Sequence, residues 1–352
     1  MEEFGHLSRE SFERDQVFQG LEGKQYHTVS IDATPEGATS YATDCLQSDE
    51  LAAFFDPRRH NLHRGDNASL RLVVITNPIH DGSGPAAPIL MPKDTFLQLV
   101  DFAKVHPAAL WLQLNQYDGL HYFPSATTET YYLGVSELAL IWTFNASSLR
   151  TSAIAIRRRS TEGVQWIWFS QLFERHQKYI HTPMLLAYVL GLSLCCAYDH
   201  QIMWRQSREL VTIEKDVGYG KDSLKLENRV DVTTLAFAIQ NIGGVLNHIA
   251  NKQRHFAMIE SILKAIESFT ANQNESTKKY RDEIGDSNGK LIATFPSLRL
   301  RIQSSHEYLA YLKERAERLS TVVTIRLNDA RRCFSEHRAS RVEPTDCRGL
   351  EA

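Results

Sequence analysis

The chain has 352 residues, 39 basic and 42 acidic side chains for a formal net charge of −3, with 43% hydrophobic and 23% charged positions. That balance belongs to a folded globular protein able to bury one large core or two smaller ones, and it excludes a chain disordered throughout. Both signs of charge are interspersed, so nothing global points to nucleic acid or an anionic membrane as partner.

Residues 1–45 carry scattered aromatics (Phe4, Phe12, Phe18, Tyr26) and a turn-rich Pro35–Gly37, and read as a loosely structured lead-in. Ser48 to Phe55 is a short helix with Ser48 or Asp49 as its cap, ended by Asp56-Pro57. Leu70 to Thr76 (LRLVVIT) is β-rich and bounded by Asn67 and Asn77-Pro78, which predicts a buried strand. Ile79 to Pro92 is a loop. Lys93 to Val105 predicts a helix with Phe96, Leu97, Val100 and Phe102 inward, stopped by His106-Pro107. Tyr117 to Phe123 and Ser136 to Phe144 read as strands. Thr151 to Arg157 completes a hairpin with the latter and exits on Arg157-Arg158-Arg159, read as a solvated strand end. Gln165 to Phe169 is either a third strand or the opening of a helix to about Tyr179.

Met184 to Tyr198 has no charge, but a membrane span needs about 20 apolar residues. Its flanks turn polar at His181 and Asp199, so the segment through Arg208 reads as a buried core helix. Beyond the turn-rich Gly218 to Asp222, the chain from Asp231 to about His337 predicts two long helices. The first carries Leu235, Ile239, Ile242, Leu246, Ile249, Phe256, Ile259, Leu263, Ile266 and Phe269. In the second, Leu298, Ile302, Leu309, Leu312, Leu319 and Val323 recur at helical spacing as one apolar stripe that wants a partner along its length, the first helix or neighbouring copies. Ala271 to Lys290 is polar, with no apolar pattern to build another helix, and reads as the hinge of an antiparallel pair.

The expected architecture is therefore α/β (α+β). A head over residues 46–215 has a mixed sheet flanked by helices, a stalk-like helical pair over 216–337 hinges near 271–290, and a disordered tail covers 338–352.

Five cysteines (Cys45, Cys195, Cys196, Cys333, Cys347) at irregular spacing give neither a disulfide framework nor a zinc pattern, which fits a reducing compartment. The charged N-terminus has no apolar signal-peptide core. Gly218-Tyr219-Gly220-Lys221-Asp222 lacks the earlier glycine and the Ser or Thr of a phosphate loop. His60 and His63, near Asp56 and Asp66, sit among Arg58, Arg59 and Arg64, which would repel a metal. Cys195 and Cys196 lie in the apolar run, where a thiol behaves as a small hydrophobe, and Trp142, Trp166 and Trp168 read as core. The residues by themselves suggest no enzyme, no catalytic group and no certain cofactor.

Four blocks carry a likeness to a known family. They are MPKDTFLQLVDFAKVHP (91–107), SELALIWTFNASSLRTSAIAIRRR (136–159), WFSQLFERHQKYIHTPMLLAYVL (168–190) and YLAYLKERAERLSTVVTIRLNDARR (308–332). Their order resembles the CorA-like magnesium transporter superfamily, in particular divergent cytosolic domains found in many filamentous fungi. The resemblance spans about two thirds of the chain. It implies an α/β/α cytosolic head, a long stalk helix, assembly as a pentamer and Mg2+ as a regulatory ion, with metal residues that cannot be carried over. The family's two membrane helices and its Gly-Met-Asn pore triplet have no counterpart in this sequence.

Three readings follow. The chain is a soluble, cytoplasmic, transporter-related head and stalk that binds copies of itself or related transporter subunits. Or it is a truncated version of a full membrane transporter. Or it is a helical scaffold unrelated to transport, offering its paired helices as a groove for partners.

Overall fold

The computed structural model describes residues 10, 18–21, 23–34, 38–56, 68–76, 89–125, 127–135, 138–158, 164–201, 205–219, 231–269 and 280–340. Seven strands form one mixed sheet: β1 Tyr26–Ala33, β2 Thr39–Leu46, β3 Ser69–Thr76, β4 Gly119–Phe123, β5 Glu129–Val135, β6 Leu138–Asn145 and β7 Arg150–Arg157. The helices are α1 Ser48–Phe55, α2 Lys93–Ala103, α3 Pro107–Leu114, α4 Val164–His176, α5 Leu185–Gln201, α6 Ser207–Asp216, α7 Val232–Ser268, α8 Arg281–Ile292 and α9 Phe295–Ser340.

The sheet order is β2-β1-β3-β7-β6-β5-β4. Two antiparallel meanders meet at its centre through the parallel pair β3 and β7, in register from Ser69 opposite Arg150 to Thr76 opposite Arg157. A parallel pair requires a long crossover, and α2, α3 and the β4–β6 meander lie within it. Strands β3, β5, β6 and β7 are buried at nearly every position on both faces, which is why they are apolar runs. On one face α1, α2 and α3 bring Leu51, Phe55, Phe96, Leu99 and Leu110 onto Val73, Ile75, Ile141, Ile154 and Ile156. On the other face Trp142 is fully buried, stacks on Tyr131 at 5.2 Å and donates its indole N–H to the carbonyl of Pro183 at 2.9 Å.

Several expectations change. The lead-in holds β1 and most of β2, and Phe18 packs its ring on Phe96 at 5.4 Å. Strand β2 is exposed at most positions, so its sequence (TSYATDCL) lacks the apolar alternation that would announce it. In α2 the inward residues are Phe96, Leu99, Val100 and Ala103, while Leu97 is half-buried and Phe102 is 50% exposed. Gln165 to Phe169 opens a helix, and Trp168 is 38% exposed rather than core. The presumed hinge contains a helix, α8. Its buried face, Ile284, Ser287, Asn288 and Leu291, includes two polar side chains and so looks non-helical in an apolar count. Asn288 is there because its amide donates to the carbonyl of Ile266 in the last turn of α7 at 3.0 Å. His60, His63, Asp66, Lys221 and the tail from residue 341 lie outside the described residues, and α9 continues to Ser340.

The chain divides into two compact units. Residues 1–197 with 258–299 form the first, which contains the sheet, and residues 198–257 with 300–352 form the second, which is helical. The boundaries fall inside α5, α7 and α9, so each of these helices has residues in both units.

Candidate functional site

The sequence points to the apolar stripe of α9, a helix of 46 residues and about 69 Å. Leu298, Ile302, Leu309, Leu312, Leu319 and Val323 are all buried, at 6% exposure or less. The matching face of α7 buries Leu235, Ile242, Val245 and Ile249, with Ile239 and Leu246 half-buried beside it. Within the second unit Phe256 meets His306 at 5.4 Å between ring centres. Within the first, the guanidinium of Arg299 donates to Glu267 at 2.7 Å.

Two polar features hold the second unit together that apolar periodicity does not show. Arg315 on α9 donates from Nε to Glu214 on α6 at 2.6 Å and from Nη2 to the other carboxylate oxygen, a bidentate fork that fixes orientation as well as distance. Arg326 donates to the carbonyl of Val217, which closes the C-terminus of α6, where a cation also meets the negative end of the helix dipole. There Gly218 takes φ +63°, Tyr219 N–H reaches the carbonyl of Glu214 at 2.7 Å, and Gly218 N–H reaches that of Lys215 at 3.0 Å. Gly218 is thus a helix stop of the Schellman type, which explains the glycine without any phosphate. The buried face of α7 also includes Lys252 and His255. The ammonium of Lys252 lies 4.0 Å from the centre of the Tyr198 ring, on which His255 stacks at 4.9 Å.

In the first unit, the expected solvated strand end is a buried cation. Arg158 is 5% exposed and donates to the carbonyls of Val135 (2.9 Å) and Tyr117 (3.2 Å) and to the hydroxyl of Tyr132, with Asp118 at 3.5 Å. Burial pushes the Tyr132 hydroxyl up to about 12, so it stays protonated and donates to the Tyr117 carbonyl at 2.8 Å. The cluster sits against Gly134, where a Cβ would fall 1.9 Å from the Tyr117 oxygen. An Arg-Arg-Arg run conceals which member turns inward. Closed around backbone carbonyls, this network is a structural pin for the turn before β4, not a reaction centre.

Among the described residues no group of three or more His, Cys, Asp or Glu could hold a metal ion, and no helix is long and apolar enough to cross a membrane. Cys195 is fully buried in α5.

No protein-family model matches the chain, and no curated protein does. Among solved structures it is similar to the complete structure of the CorA magnesium transporter from Methanocaldococcus jannaschii. The identity is 11% and the TM-score 0.42, over 88% of this chain and 81% of that one.

Proposed function

We propose that this chain is a CorA-like, transporter-related protein, corresponding to the cytosolic head and stalk of a divalent cation transporter, and that it works by assembling with copies of itself or with related subunits. The observation that carries the reading is the element order. A seven-stranded mixed sheet covered by helices is followed by helices of 37 and 46 residues, in the order of the four sequence blocks that resemble the family. Magnesium enters as a regulatory ion, with no residue assigned to it.

The buried stripe of α9 is occupied within the chain, so assembly would use outward positions. Leu300 (66% exposed), Tyr311 (52%) and Ile325 (56%) supply them on α9, with Tyr308 and Val322 half-buried at the intervening helical spacing. Sedimentation velocity of the full chain over a range of protein concentrations, with and without millimolar Mg2+, tests the reading. A defined multimer is expected, and Tyr311→Glu should shift it towards monomer with little change in melting temperature. A monomer at every concentration and ion level would overturn it in favour of a free-standing scaffold. Translating the genomic DNA beyond Asn328 in all frames checks the truncated-transporter alternative. About 20 apolar residues followed by Gly-Met-Asn would establish it.

A further inference from the structure

Strand β2 is an edge of the sheet, and Cys45 on it stands directly opposite His27 of β1 in the antiparallel register. Directly opposed residues point to the same face with their Cβ atoms about 5 Å apart. Here the two side chains meet, with Sγ of Cys45 3.2 Å from Nδ1 of His27. The pair is held from both sides. The carboxylate of Asp44 accepts the backbone N–H of Cys45 at 2.7 Å, and the hydroxyl of Thr28, next to His27, donates to the carbonyl of Asp44 at 3.3 Å. Both Cys45 and His27 are exposed, whereas Cys195 is fully buried and Cys196 half-buried in α5. A thiol within hydrogen-bond reach of an imidazole, on a rigid ladder and open to solvent, is the arrangement that activates a sulfur nucleophile.

We propose that Cys45 and His27 form a nucleophile–base pair that takes a low-molecular-weight disulfide, making the edge of this sheet a site of reversible thiol modification. Nδ1 of His27 accepts the Cys45 proton as Sγ attacks one sulfur of the incoming disulfide. One S–S bond breaks, one mixed S–S bond forms at Cys45, and the second sulfur leaves as a thiolate that takes the proton from His27. Cys45 is oxidised and the small disulfide is reduced by one thiol, so no further electron carrier is needed; an added thiol runs the step backwards. The inference is independent of the transporter reading, since it rests on two residues of the sheet edge.

The test is the rate of adduct formation with glutathione disulfide on the full chain, read site by site by peptide mass spectrometry. Cys333, exposed on α9, is the internal comparator. At pH 7 Cys45 should react about tenfold faster than Cys333, less than the ~10²-fold of a base in a closed active site because the pair is in water. Above about pH 9.5, where free thiols are ionised without help, the ratio should fall towards one. Mere accessibility would leave it constant. His27→Gln, which keeps a polar exposed side chain but removes the base, should bring Cys45 to the Cys333 rate at neutral pH while the melting temperature holds. A pH-independent ratio, a ratio near one at pH 7, or an unchanged Cys45 rate in His27→Gln would each overturn the proposal.

Discussion

Arg158 shows how one side chain can hold a turn. Its guanidinium serves two carbonyls and a hydroxyl in a buried place, and Arg158→Ala would leave all three acceptors without that donor. The expected loss is about 3 kcal/mol, measured by urea unfolding. Arg158→Lys should recover only part of it, because an ammonium cannot present the planar fork. His106 is a different kind of pin. Its Nδ1 accepts the N–H of Ala108 at the start of α3, and its ring stacks on Phe123 at 5.1 Å. Burial lowers its pKa below 6.5, as it does for His121 and His181. The folded state therefore binds fewer protons than the unfolded state between the lowered values and 6.5. Stability is complete above about pH 6.5 and is lost as pH falls below it. Thermal melts from pH 8 to pH 5 should show this decline. His106→Asn keeps a capping side chain without a titrating ring, and should make the decline shallower.

At the scale of the element, the two long helices stand on their buried stripes. Leu312 is fully buried in the second unit, and Leu312→Glu places an uncompensated charge there, at an expected cost of about 3–5 kcal/mol. Because the stripe is covered within the chain, the fall in melting temperature should be the same at every protein concentration; a loss that grows on dilution would mean that copies complete it. Leu190→Asp makes the equivalent test of α5, where Leu190 is 2% exposed in a helix buried on most sides. A variant that melts like the parent would refute the reading of that segment as core. The same burial explains why α5 is apolar enough to invite comparison with a membrane span yet stays short of one.

For the whole molecule, the consequence of interest is coupling. Four of the five tryptophans, Trp111, Trp142, Trp166 and Trp168, lie in the first unit, so fluorescence reports chiefly on that unit, while far-ultraviolet dichroism reports on the helices of both. Chains beyond about 150 residues commonly unfold in stages. Here α5, α7 and α9 each have residues in both units, so neither unit can lose its helices without interrupting one that continues into the other. The two signals should therefore change together in urea. Separate midpoints would show that the helices break at the boundary.

The sequence by itself determined those elements whose burial is one-sided and periodic, or complete. The stripe of α9, most of the stripe of α7, the apolar run of α5 and the strand Leu70–Thr76 were legible because hydrophobic burial imprints a 3.6-residue period or an unbroken apolar run on the chain. A head containing strands and helices followed by long helices was legible in the same way. The tertiary structure decided what local pattern cannot carry. It set β3 beside β7 across 81 residues of sequence, since Leu70 is opposite Thr151 and Thr76 opposite Arg157. It made an edge strand of polar β2, turned Asn288 and Arg158 inward to serve backbone carbonyls, and brought Cys45 to His27. In each case the stabilising partner is remote in sequence, so the residue's role is fixed by what the fold places beside it and not by its neighbours along the chain.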